Sequence, residues 1–215
     1  MRRIRRLGGE SLNNSRPRNI HSETSASKLL QVVGFKNSGK TTLTESLVRT
    51  ALDLGFRTSA IKHHGHCGAP DLPPPTTDAS RFFRAGASSS IVVGGGVALL
   101  QVRQRQESDR IDDLNTLIRY TENCADPDLI LIEGFKNERH PKIVLLRSLE
   151  DWTSLRSLPN IELIVTANED LPAEVAAAQK HADEKSKLPI FSRRQSEDIA
   201  AWFTDWLKGD HHESL

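Results

Sequence analysis

A disulfide framework, a long apolar run and a marked net charge are all missing from this 215-residue sequence. Its two cysteines, Cys67 and Cys124, lie far apart and form no C-x-x-C pair. That excludes a stapled secreted scaffold and fits a reducing, cytoplasmic compartment. No apolar stretch approaches the ~18 residues that span a bilayer, so the expectation is a soluble protein with no membrane partner. No internal repeat or heptad run is present.

The net charge of +1 conceals an asymmetry, because residues 1–28 hold 7 Lys+Arg against 2 Asp+Glu and leave the remainder at −4. A mildly acidic folded part argues against nucleic acid as a partner, since phosphate contacts favour a basic face. The basic stretch (Arg2, Arg3, Arg5, Arg6, Arg16, Arg18) has no apolar core of a secretory signal. Its Arg-rich, acid-poor character loosely resembles an organelle transit peptide, and a plain disordered extension is the reading preferred here. With 37% hydrophobic and 27% charged residues, the expected organisation is a disordered basic tail over 1–28, one α/β domain over 29–208 and a disordered end over 209–215.

What is present is more specific. Gly34-Phe35-Lys36-Asn37-Ser38-Gly39-Lys40-Thr41 satisfies G-x-x-x-x-G-K-[ST]. A triphosphate needs donors close to dense negative charge, and Gly34 and Gly39 let the backbone wrap around it, with N–H groups and a helix N-terminus turned inward. Lys40 is then the residue that reaches the β- and γ-phosphate oxygens, and the Thr41 hydroxyl is placed to ligate Mg²⁺. Context supports the motif: Leu29 to Val33 reads as a buried strand entering the loop, and Leu43, Leu47, Val48, Ala51 and Leu54 follow at helical spacing before Gly55.

Further along, Arg57 to Lys62 reads as a second strand, and Pro70 with Pro73-Pro74-Pro75 as a stiff loop. Asp78 is placed to N-cap a helix carrying Phe82, Phe83 and Ala87. Ser89 to Val93 and Val97 to Val102 flank Gly94-Gly95-Gly96 as an antiparallel hairpin in the sheet. Arg110 to Cys124 carries a helical stripe, and Leu129 to Ile132 is a continuous apolar strand ending at Glu133-Gly134. Lys142 to Arg147 and Ile161 to Thr166 read as buried strands with a short helix, Asp151 to Leu158, between them. Pro189 to Phe191 reads as an edge strand and Ser196 to Leu207 as an amphipathic helix. Alternating strands and helices predict a mostly parallel sheet covered on both faces, an antiparallel hairpin extension, and ligands at the carboxyl ends of the strands.

Four constellations lie at such ends. Glu133, directly after an apolar strand, occupies the place of a Walker-B acid serving Mg²⁺ or its water, or caps the turn at Gly134. Lys62-His63-His64-Gly65-His66-Cys67 admits three readings: nucleotide contact by Lys62 or His63, a Zn or Ni site of imidazoles and thiolate, or a solvated loop. Adjacent His63 and His64 would point to opposite faces if the strand continues, which weighs against a shared metal. Asp78 either serves phosphate or metal, or simply caps its helix. Asn168 and Asp170 either contact a guanine base or form an ordinary Asx turn.

Taken together, the phosphate loop, Lys62-His63-His64-Gly65-His66, Asp78 to Ala87 and Leu129 to Lys136 resemble the molybdopterin-guanine dinucleotide biosynthesis protein B family, across about residues 28–170. The resemblance implies a P-loop NTPase fold and a GTP-binding, weakly GTP-hydrolysing accessory protein of molybdenum-cofactor maturation. It also implies a homodimer that assists the guanylyltransferase joining GMP to molybdopterin. By position, Gly34, Lys36, Asn37, Ser38, Gly39, Lys40, Thr41 and Thr42 would bind GTP, with Lys62 and His63 beside them. Lys40 and Glu133 are the candidate catalytic residues, and Thr41, Glu133 and Asp78 the candidate Mg²⁺ ligands. The basic tail and the proline-rich insertion depart from that pattern, and Ala79 stands where a hydroxyl residue is frequent.

Slow turnover fits the absence of a recognisable glutamine or arginine finger in cis, a device that supplies factors of ~10³–10⁵. Two other classes compete. A small-molecule kinase or ligase predicts fast turnover and an arginine-rich lid, for which Arg103, Arg105 and Arg110 are the nearby cluster. A nickel-delivery GTPase predicts stoichiometric metal on His63, His64, His66 and Cys67.

Overall fold

The computed structural model describes residues 26–64, 73–103, 113–179 and 188–209. Among the described residues, eight strands and six helices follow one another as β1 (Lys28–Gly34), α1 (Lys40–Asp53), β2 (Thr58–Lys62), α2 (Asp78–Arg84), β3 (Ser89–Gly94), β4 (Val97–Val102), α3 (Leu114–Ala125), β5 (Leu129–Glu133), β6 (Lys142–Leu146), α4 (Leu149–Leu155), β7 (Ile161–Thr166), α5 (Leu171–Ala178), β8 (Ile190–Ser192) and α6 (Ser196–Lys208). Six strands form one wholly parallel sheet in the order β2-β5-β1-β6-β7-β8. This is the α/β, P-loop NTPase arrangement that the sequence pattern implies.

The strand period of two divides the apolar residues between two faces. Leu30, Val32, Leu129, Leu131, Ile143 and Leu145 pack against α1 and α6, where Leu47, Ala51, Trp202, Phe203 and Leu207 complete a buried cluster. On the opposite face, Ile130 and Ile132 meet Leu114 and Ile118 of α3, while Val33, Val144 and Ile164 meet Trp152, Leu155, Leu171 and Val175 of α4 and α5. Each such side chain contributes roughly 1.5–3 kcal/mol when fully buried, so both helical layers are held by the same mechanism.

Three local expectations are corrected. The β3–β4 hairpin is antiparallel as read, but it pairs only with itself and forms a separate two-stranded sheet. Helix α2 is capped by Thr77, whose side chain accepts from the Ser80 backbone N–H, and Asp78 is its first helical residue. A threonine one position earlier has the extended backbone a cap needs, which leaves Asp78 its favourable place in the first turn. Helix α4 begins at Leu149 because Ser148 caps it, two residues before the expected start. Helix α5, with Pro172 in its first turn, had no counterpart in the sequence reading. Pro70, His66, Cys67, Arg105 and Arg110 lie outside the described residues, as does the basic tail through residue 25.

Candidate functional site

The carboxyl ends of the parallel strands share one edge of the sheet, and the polar motifs gather there. β1 ends at Gly34, whose φ of +155° and tight surroundings exclude a side chain: a Cβ there would lie 2.7 Å from the Leu145 carbonyl and 2.7 Å from Ser38 Oγ. The loop turns on itself above this point. Lys40 Nζ donates to the Phe35 carbonyl at 2.7 Å, and the Ser38 N–H donates to the same oxygen. Lys36 and Asn37 are exposed at the tip, with Asn37 left-handed at φ 62°. Ser38 is buried, and among the described residues its hydroxyl has no hydrogen-bond partner, a donor at the loop without an acceptor.

Register places the acid. Lys62 on β2 stands opposite Glu133 on β5, which pairs in turn with Val32 on β1. Both side chains therefore project on the α1 side of the sheet, toward the first turn of α1. Thr41 Oγ1 donates to Glu133 Oε2 at 3.0 Å, and Lys62 Nζ donates to Glu133 Oε1 at 2.9 Å and to Thr41 Oγ1 at 3.2 Å. Glu133 is 8% exposed, so its charge is satisfied by these two partners rather than by water. A carboxylate and a hydroxyl 3.0 Å apart offer the hard oxygen ligands Mg²⁺ takes, and the residues fit that ion.

Burial draws the Lys40 ammonium below the ordinary lysine range; Glu133 opposes this, while Lys62 and Arg147 lower it further. The site thus holds more cationic charge than its own carboxylate balances. An anion of several charges is what such a loop is short of.

Arg147 was not foreseen as part of this site. It follows β6 at the same edge, donates from Nη1 to the Lys36 carbonyl at 3.1 Å, and forms a bidentate pair with buried Asp151 at 2.8 and 2.9 Å. The Arg147 guanidinium holds the Asp151 carboxyl below the usual carboxylate range against the opposing effect of burial. Phe35 lies between two cations, with Arg147 Cζ 5.4 Å and Lys136 Nζ 5.7 Å from its ring centroid. The available signal was an arginine directly after a buried strand with an acid four residues on.

Gln31 was missed too. Fully buried in β1, it donates to the carbonyls of Gly134 and Phe135 at 3.2 and 2.8 Å and so fixes the turn that carries Glu133. On the same side His63 packs against Phe135, ring centroids 4.8 Å apart. Asp78 pairs with Arg81 on its own helix at 3.5 Å; among the described residues no hydrogen bond links it to Thr41 or Glu133. Thr42, the third residue of α1, is exposed. Asn168 Oδ1 accepts from the Leu171 N–H at 3.0 Å, three residues on, and so binds the first N–H of α5.

The family model described as molybdopterin guanine dinucleotide synthesis protein B, MobB, matches residues 29–167. The chain belongs to the MobB family. Among its relatives, a probable molybdopterin-guanine dinucleotide biosynthesis adapter protein of Bacillus subtilis is 35% identical over 156 residues, 73% of this chain and 86% of the relative. The crystal structure of Bacillus subtilis MobB superposes with a TM-score of 0.63 at 33% identity, covering 82% of this chain and 97% of that one. A MobB homologue from Bacillus stearothermophilus gives a TM-score of 0.57 at 32% identity, over 84% and 98% of the two chains. MobB membership assigns the chain to molybdopterin guanine dinucleotide biosynthesis. Among the described residues no group of three metal-ligating side chains converges, and no helix is long and apolar enough to cross a membrane.

Proposed function

We propose that this chain is a cytoplasmic GTP-binding adapter with slow GTPase activity, which assists the molybdenum cofactor guanylyltransferase in attaching GMP to molybdopterin and acts as a homodimer. The observation that carries the nucleotide reading is the convergence of Lys40, Thr41 and Glu133 at the mouth of the Gly34–Gly39 loop.

Within that reading Lys40 exchanges the Phe35 carbonyl for phosphate oxygens, and the loop N–H groups and the Ser38 hydroxyl supply further donors. Thr41 and Glu133 would hold Mg²⁺, which when bound would neutralise phosphate charge. Glu133 would also be the carboxylate that orients water there. Arg147 is tied to Asp151 and to the loop, so it braces Lys36 and is not a free finger. That restraint is consistent with slow hydrolysis.

Calorimetric titration with GTP and with ATP in Mg²⁺, with phosphate release followed in the same samples, tests the reading. GTP preference with turnover below about one per minute is expected, against ~10 s⁻¹ for a typical enzyme. ATP preference, or rapid turnover with an added acceptor, would favour a kinase or ligase. Lys40→Ala removes a charged donor to the phosphates and should weaken triphosphate binding by roughly 100-fold or more; unchanged affinity would remove the loop from the site.

A further inference from the structure

Lys62 does something a phosphate ligand need not do. Its ammonium is bonded at once to the carboxylate of Glu133, at 2.9 Å, and to the hydroxyl of Thr41, at 3.2 Å, the two side chains that would hold Mg²⁺. Its side chain is 58% exposed while that of Glu133 is 11% exposed, so the ammonium has solvent beside it to move into and the carboxylate does not. The strand register enforces the meeting, since Lys62 and Glu133 are direct neighbours on β2 and β5.

We infer that Lys62 is a tethered counter-cation for the metal site: it balances Glu133 when no metal is bound and yields the Glu133–Thr41 pair to Mg²⁺. The inference rests on the nucleotide-binding reading above and concerns how that site tolerates a missing metal. The physical argument is charge balance. A nearly buried carboxylate beside a polyphosphate repels it unless a cation intervenes, and a pair of like charges in contact costs several-fold in affinity even at a partly solvated site. Lys62 supplies that cation from within the chain. The Thr41 oxygen that would face the metal already accepts from Lys62 here, and an ammonium held against a divalent cation is repelled by it, so the metal displaces Lys62 from that position.

The consequence is a particular dependence on metal. The wild-type protein keeps appreciable triphosphate affinity in EDTA, because Lys62 screens Glu133. Lys62→Met keeps the aliphatic stem and removes the charge. It should lose about tenfold or more in affinity for a non-hydrolysable GTP analogue in EDTA, yet change by less than about threefold in saturating Mg²⁺. Lys62→Arg, which retains a cation, should restore the affinity in EDTA. Calorimetry of the three proteins in the two buffers reads these values directly, without any turnover.

Equal losses in EDTA and in Mg²⁺ would make Lys62 a plain phosphate ligand and overturn the inference. No loss in either buffer would make it an idle surface lysine and overturn it equally. Both results leave GTP binding intact. Wild-type protein that binds no triphosphate in Mg²⁺ would instead overturn the nucleotide reading, and this inference with it.

Discussion

Lys142 shows what a single side chain does away from the site. It is fully buried at the start of β6, and its ammonium donates to three carbonyls, those of Glu138, His140 and Pro159, at 2.6, 3.0 and 2.6 Å. It thereby ties the segment leaving β5 to the turn before β7. Burial lowers its pKa to about 8, with Glu138 opposing. The sign of the linkage follows: a lysine near 8 in the fold and about 10.4 in the unfolded chain makes the unfolded state bind more protons between those values. Stability contributed by this group therefore rises as pH goes from about 8 toward 10, once the buried charge is relieved. Lys142→Met should cost about 3 kcal/mol at pH 7, because it leaves the three carbonyls without a donor, and should flatten that rise. Denaturant midpoints of both proteins at pH 7.5 and 9.5 check the two statements together. A variant as stable as wild type would show that the three bonds do not hold this segment.

Among the elements, the end of β5 is the one on which the site depends most. Gly134 has φ 103°, and a Cβ there would lie 2.8 Å from the Cβ of His63. Phe135 follows at φ 50°, a left-handed conformation for a bulky residue, held by Gln31 and by the His63 ring. Gly134→Ala should lose about 2 kcal/mol of stability and also weaken triphosphate binding, since Glu133 is the preceding residue. Thermal unfolding with and without nucleotide separates the two effects; an unaltered protein would show the turn to be less constrained than its geometry indicates. The glycine itself was legible in the sequence, as were the apolar strands and α1, because buried parallel strands read as continuous Val/Ile/Leu runs and the loop motif fixes its own flanks. Gln31 was not legible: a polar residue inside an apolar run carries no mark of the carbonyls it serves, which belong to a turn about 100 positions away. Helix α5 escaped because Leu171 to Ala178 is short and largely alanine, with little polar contrast to give a stripe. Thr77 rather than Asp78 caps α2 because both residues suit a cap and only backbone geometry chooses between them.

At the scale of the whole molecule, the hairpin is the part whose apolar residues are left exposed. β3 and β4 stand apart from the main sheet, joined to α2 by Arg103, which donates to the Phe83 carbonyl at 2.7 Å and lies over the Phe83 ring. The cross-strand pairs put Ile91, Val93, Ala98 and Leu100 on one face and Val92, Leu99 and Val97 on the other. Ile91, Val93, Val97 and Leu100 are between 51% and 75% exposed, and both faces are apolar. A two-stranded ribbon of this kind is marginal by itself in water, and contiguous apolar surface marks an interface. The homodimer proposed above gives that surface its occupant, with one hairpin laid against another. Light scattering of the wild-type protein should then return twice the 23.9 kDa chain mass. Ile91→Glu combined with Leu100→Glu places two like charges on directly paired positions of one face and should yield the single-chain mass. Because both positions are already exposed, the far-UV spectrum and the unfolding midpoint of the main sheet should be preserved. A wild-type protein that runs as a single chain at all concentrations would overturn the pairing of one hairpin with another. The same charged variant would then serve to find which step of molybdopterin guanine dinucleotide assembly loses its contact.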